Sequence, residues 1–276
     1  MDVQSFSDIL DHQVRAVDSR LCVGLDLDAN RVSSGGSTSF ENLRDFGRMV
    51  IDATLKFAAA FKLNFAFFER HGSAGFRWLE DILSQIDGRR LTIGDGKWGD
   101  ISNSAEHYAS AIFDKFGFDA ATVNPYMGRD AIIPFLERSE KGAFVLCLTS
   151  NDSASDLQYQ KVGNARLYGR VVSLTRELNV NNNCGLVVGA TREAELGYVR
   201  ERAGNMPFLI PGVGAQGGNL EASVRIGNRG GVALISVSRS ILYAGDQSEE
   251  AIRKAAKEYS HRINASLEHG NSPSGS

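Results

Sequence analysis

Apolar positions recur along this chain in two alternating rhythms. Residues 4–19 carry Phe6, Ile9, Leu10, Val14 and Val17 at helical spacing, which predicts an N-terminal helix covering something apolar. Leu21-Cys-Val-Gly-Leu-Asp26 then reads as a strand with Asp26 at its exit, and a Ser/Gly-rich loop at 33–39 leads into a helix over 40–57. A second apolar run, 58–65, is interrupted by Lys62. A lysine there is costly unless paired. The same alternation predicts helices near 75–86, 103–116, 130–138, 155–178, 193–202, 220–226 and 249–267. Between them it predicts strands at 91–95, 120–123, 143–148, 185–188, 207–210 and 232–237.

Counted in this way the chain holds eight strand–helix units. Strands that read as unbroken apolar runs, separated by amphipathic helices, belong to a parallel sheet buried on both faces. Eight units in about 250 residues predict an α/β fold of the (β/α)8 TIM-barrel type with an extra N-terminal helix; an open doubly wound sheet is the alternative that the pattern alone allows. No linker or internal repeat divides it, so residues 1–268 are expected to form a single domain. The polar end 269–276 reads as a disordered tail.

Composition narrows the functional classes. A formal charge of −3, from 30 basic and 33 acidic residues, gives no nucleic-acid surface, so any anion specificity must be local. Cys22, Cys147 and Cys184 are odd in number, far apart and set in apolar runs, which predicts buried free thiols in a reducing compartment. Neither a signal peptide nor an apolar run of membrane-spanning length is evident, and a cytoplasmic protein is expected. The five histidines are scattered over helices, loops and the tail, and no metal cluster is expected.

In a TIM barrel the strand exits form the active face. Read from that premise, the most informative stretch is Leu91-Thr-Ile-Gly-Asp-Gly-Lys-Trp-Gly-Asp-Ile101, which places Asp95, Lys97 and Asp100 within six residues at a glycine-rich strand exit. An isolated Asp-x-Lys would be an unremarked surface pair, worth about 0–1 kcal/mol. Here Asp26, Lys62, Asn124, Thr149 and Ser150 are delivered to the same mouth. After the seventh strand, Pro211-Gly-Val-Gly-Ala-Gln-Gly-Gly218 can turn backbone N–H groups toward an anion. The eighth strand ends in Ser236-Val-Ser-Arg-Ser-Ile241 and brings the Arg239 fork beside that turn, the usual place of a phosphate cradle in barrel enzymes.

With these residues in place, the sequence resembles the orotidine 5'-monophosphate decarboxylase family in its longer bacterial form, from Leu21 to Ala244. The matching segments are Phe61-Lys-Leu-Asn64, Asp95-Gly-Lys-Trp-Gly-Asp-Ile101 (the family's D-x-K-x-x-D-I), Val123-Asn-Pro-Tyr126, Thr149-Ser-Asn151, Gly185-Leu-Val-Val-Gly-Ala-Thr191, Pro211 to Gly218 and Ser238-Arg-Ser240. The resemblance implies cofactor-independent decarboxylation of orotidine 5'-monophosphate to UMP, in de novo pyrimidine biosynthesis. It also implies an alternating charge network of Lys62, Asp95, Lys97 and Asp100, with Lys97 protonating C6. Asp100 would complete the site of a neighbouring subunit in a homodimer. Gln216 would bridge the phosphate and the pyrimidine, Arg239 would bind the phosphate, Ser150 the pyrimidine, and Asp26 and Ser104 the ribose, with Pro211 and Gly217 also among the substrate-binding residues. D-x-K-x-x-D is shared with metal-dependent sugar-phosphate decarboxylases and epimerases, which remain an alternative, as does an inactive phosphoribosyl-nucleotide binder. Two departures stand out. Gly96-Lys97-Trp98 replaces the family's Ala-Lys-Arg, and Ser150-Asn151-Asp152-Ser153 replaces Ser-Asn-Pro-Gly.

Overall fold

The computed structural model describes residues 4–32, 38–214 and 217–268. Eight parallel strands close into a barrel in sequential order: β1 (Leu21–Gly24), β2 (Ala60–Asn64), β3 (Leu91–Trp98), β4 (Ala120–Val123), β5 (Gly142–Leu148), β6 (Cys184–Val188), β7 (Phe208–Ile210) and β8 (Ala233–Val237), which pairs back onto β1. The closed barrel decides against the open sheet.

Because side chains alternate across a strand, every second residue enters the barrel. The lower interior layer is apolar and includes Cys22, Ala60, Ile93, Ala120, Phe144 and Leu234. Helix Phe6–Ala16 lays Phe6, Leu10 and Val14 onto this layer, with the Phe6 ring edge-on to Phe144 at 5.9 Å, and so stops the N-terminal end of the barrel. Two residues further along the same strands, the inward positions are Gly24, Lys62, Asp95, Thr122 and Ser236. One step of the strand period thus converts an apolar plug into a polar floor, open only at the C-terminal mouth. The remaining core lies between the sheet's outer face and the surrounding helices.

Three expected elements differ. The helix over 130–138 is replaced by short 3₁₀ turns at Pro125–Met127, Arg129–Ala131 and Ile133–Phe135, because Pro134 has no N–H to continue a helix. The long helix over 155–178 is divided into Ala154–Leu157 and Leu167–Leu178 by a small antiparallel hairpin, Lys161–Val162 with Ala165–Arg166. Its turn uses Gly163 at φ +64°, where a side chain would be strained. The third strand runs to Trp98 rather than stopping at Asp95, and it carries the charged block with it. The predicted tail, 269–276, lies outside the described residues. All three cysteines are free and buried, and burial pushes the Cys22 thiol up to about 12. Among the described residues, no helix is long and apolar enough to cross a membrane.

Candidate active site

The polar floor is organised around one carboxylate. Asp95 Oδ2 accepts from Lys62 Nζ at 2.7 Å, and its Oδ1 accepts from Lys97 Nζ at 2.6 Å and from Thr122 Oγ1 at 2.9 Å. Asp95 and Lys62 have side chains only 8% and 7% exposed, whereas that of Lys97 is 44% exposed and reaches into the mouth. A single buried ion would cost several kcal/mol, so this arrangement persists only because each charge is paired. Burial by itself favours neutral Asp95, but Lys62 and Lys97 outweigh it and hold the carboxyl well below the usual range. Burial likewise opposes the Lys62 ammonium, and Asp26 and Asp95 overcome it and raise the lysine above its ordinary value.

Lys97 occupies this place through an irregular backbone. The β3–β4 ladder shifts between Gly94 and Trp98, and Lys97 sits at φ +51°, a region uncommon for a non-glycine residue. In the gap, the Lys97 N–H donates to Thr122 Oγ1 at 3.0 Å, so a side chain replaces the missing strand acceptor. The two unusual residues flanking Lys97 are mutually dependent. A Cβ at position 96 would lie 2.3 Å from the Trp98 ring, so the large indole requires the glycine. Trp98 turns inward, edge-on to Phe65 at 4.9 Å and stacked near Phe135 at 6.4 Å.

Asp26 lies across the floor, with Oδ1 3.8 Å from Lys62 Nζ. That oxygen is buried and accepts no hydrogen bond, its charge facing the Lys62 ammonium. Tyr243 fixes the segment: its hydroxyl donates to the Asp26 carbonyl and accepts from the Asp28 N–H. Asp26 and Lys62 also line a cavity of about 100 Å³ whose far wall is Pro211, Gly212, Ser238 and Arg239. The expected phosphate end and the charge cluster therefore share one space. The glycine turn above β7 is tightly closed: Gly212 and Gly214 have φ of +94° and +79°, and Gly218 donates to the Gly212 carbonyl. Gln216 lies outside the described residues, whereas Gly217, also at positive φ, donates to the Gly214 carbonyl.

Ser150 follows β5, where its backbone passes so close to Gly189 that a Cβ there would be 2.8 Å from the Ser150 nitrogen. Asp100 and Ser104 are not drawn into this cluster. Asp100 Oδ1 accepts from the Ile101 N–H, and Ser104 is exposed on the helix Ser102–Ser110 that follows. Thr122, Ser236 and Tyr243 were missed by sequence reasoning. Thr122 and Ser236 could have been found by carrying the strand alternation one step beyond Ala120 and Leu234; Tyr243 has no comparable local signal. Larger concavities, of about 590 and 720 Å³, lie at the N-terminal end around Arg20 and Gly230, and none of the expected site residues lines them. Among the described residues, no group of three or more His, Cys, Asp or Glu side chains is arranged to hold a metal ion.

Residues 19–255 match the model of the orotidine 5'-phosphate decarboxylase / HUMPS family. The chain belongs to that family. Within it, the chain is 42% identical over 269 residues to an orotidine 5'-phosphate decarboxylase of Roseiflexus castenholzii, covering 95% of this chain and 98% of the relative. It is 43% identical over 256 residues to the enzyme of that name from Azoarcus, covering 90% and 94%. Among solved structures, Leishmania donovani OMP decarboxylase superposes with a TM-score of 0.84 at 38% identity, covering 96% of this chain and 99% of that one. The closed barrel is shared with this solved relative.

Proposed function

We infer that this chain decarboxylates orotidine 5'-monophosphate to UMP, a step of pyrimidine biosynthesis, by means of its own side chains. The observation that carries this reading is the Asp95 carboxylate held between two ammonium groups, with one of them, Lys97, reaching out of the floor toward the mouth. Breaking the bond from C6 to the carboxylate releases CO2 and leaves the electron pair on C6, where the ring offers no conventional sink. A fixed positive charge at that point stabilises the carbanion without reorganisation, because Asp95 has already oriented it. Lys97 then gives a proton to C6, forming UMP, and the neutral amine regains a proton from solvent.

The cavity bounded by Arg239 and Pro211 is too small for a nucleotide, which needs several hundred Å³. Its size and its Arg239 suit the phosphate, and the base would extend across the mouth past Ser150 toward Lys97. The Asp26 carboxylate, which lines this cavity and is partly exposed, would accept from a ribose hydroxyl. Phosphate binding far from C6 supplies binding energy for closure and orientation.

A homodimer belongs to the same reading. Asp100 makes no ion pair within its own chain among the described residues, and apolar side chains that a monomer would leave in water surround its segment. Ile101, Tyr108, Tyr126 and Met127 are 50, 42, 78 and 52% exposed, and helix Ser102–Ser110 packs against the turn Ile133–Phe135. A neighbouring copy covering this face would receive Asp100, and with it Ser104, at its site. The free buried cysteines accord with a cytoplasmic location.

Loss of orotidine 5'-monophosphate absorbance, followed with purified protein and excess chelator, tests the activity. Turnover unaffected by chelator is expected. Turnover abolished by chelator and restored by metal would favour a metal-dependent sugar-phosphate enzyme of the same barrel, and nucleotide binding without CO2 release would indicate an inactive binder.

A further inference from the structure

We propose that Thr122 is a positioning residue for the decarboxylation, coupling the side chain of Asp95 to the backbone of Lys97. Thr122 is buried on β4, 1% exposed, on the inward face next to the charged block. Its hydroxyl both accepts and donates. It accepts the Lys97 N–H at 3.0 Å, so its single hydrogen is left for Asp95 Oδ1 at 2.9 Å. The polarity of this relay is fixed by the backbone donor, which cannot reverse.

Two consequences follow from the geometry. Lys97 lies where the β3–β4 ladder shifts, with φ +51°, and its N–H has no strand carbonyl as partner. The threonine oxygen supplies that partner and fixes the direction in which the lysine stem leaves the strand. The same oxygen's hydrogen holds Asp95 Oδ1, the atom that orients Lys97 Nζ. Both ends of the Lys97 side chain are therefore referred to one hydroxyl. The relay also matters during turnover. When Lys97 has passed its proton to C6, Asp95 keeps two donors, Lys62 on Oδ2 and Thr122 on Oδ1, and stays in place until the amine is reprotonated. A serine would preserve the relay, whereas valine, nearly the same size and shape, would remove it and set a methyl group against a carboxylate.

This inference rests on the reading of Lys97 as proton donor, and the experiment separates the two. Thr122→Val, Thr122→Ser and Lys97→Ala are compared for kcat and KM with orotidine 5'-monophosphate, with UMP binding measured for each. Thr122→Val is expected to lower kcat on the order of 10- to 100-fold while KM and UMP binding stay within about threefold, because groups are misplaced rather than lost. Thr122→Ser is expected to recover most of that loss. A Thr122→Val enzyme within about twofold of wild-type kcat, or a Thr122→Ser enzyme as impaired as Thr122→Val, would overturn the proposal. If Thr122→Val does not fold, Thr122→Ala removes the hydroxyl without the added methyl and is judged by the same criteria. Retained activity in Lys97→Ala would instead refute the underlying assignment of the acid.

Discussion

Asp95 is buried beside two lysines, and the balance of those effects sets how the site responds to pH. Because its native carboxyl titrates below its ordinary value of 3.8, the unfolded chain takes up the proton first on acidification. The stabilisation from Asp95 is complete above that value and is lost as pH falls through the lower native one. Lys62 behaves in the opposite sense: raised above its ordinary 10.5, it stabilises fully below that value and loses its effect only as pH rises through the higher native one. Between these limits the network stays ionised. Asp95→Asn, which leaves buried Lys62 with only the more distant Asp26, should cost about 3–5 kcal/mol at neutral pH. Measured by denaturant unfolding, the difference from wild type should be constant from about pH 5 to 8 and shrink below about pH 4. A difference unchanged down to pH 2 would contradict the paired-charge account. At this scale the chemistry was legible because Asp95, Lys97 and Lys62 interrupt apolar or glycine-rich strands, where charges need a reason. Thr122 was not, since a threonine in a β-strand is also an ordinary β-former.

The third strand shows how local sequence sets the geometry of an element. Gly96 and Trp98 depart from the resembling family's pattern together, and the structure gives one reason for both: the indole occupies the space that a Cβ at 96 would need. Gly96 has no positive φ that would forbid alanine, so the conflict is purely steric. Gly96→Ala should therefore lower stability by about 1–3 kcal/mol in the wild-type background and by much less beside Trp98→Arg. Equal costs in the two backgrounds, read from thermal melts of the double-mutant cycle, would show that the residues are independent. The strands were readable from hydrophobic runs, but two helices were misjudged. Helical spacing continued through Gly163 and Pro134, and there a left-handed turn and a missing N–H decided the backbone instead. Register was harder still: nothing in the periodicity of residues 91–98 signals a shifted ladder, which arises from pairing with β4.

The whole molecule divides its tasks between the two ends of the barrel. The N-terminal helix closes one end with apolar side chains, and the other end gathers charges from β1, β2, β3 and β8 around a floor that β4 helps to fix. The barrel was legible as a count of eight units, because each unit buries its strand on both faces. What a single chain leaves incomplete is Asp100, half-buried among exposed apolar side chains rather than joined to Lys97. The most direct test of a charge network shared between subunits is therefore complementation. Lys97→Ala and Asp100→Ala proteins, each inactive alone, are mixed in equal amounts under conditions where subunit exchange is demonstrated with differently tagged chains. Random exchange makes half the dimers hybrid with one intact site each, so decarboxylation should return to about a quarter of the wild-type rate. Exchange without recovery of activity would contradict the divided site.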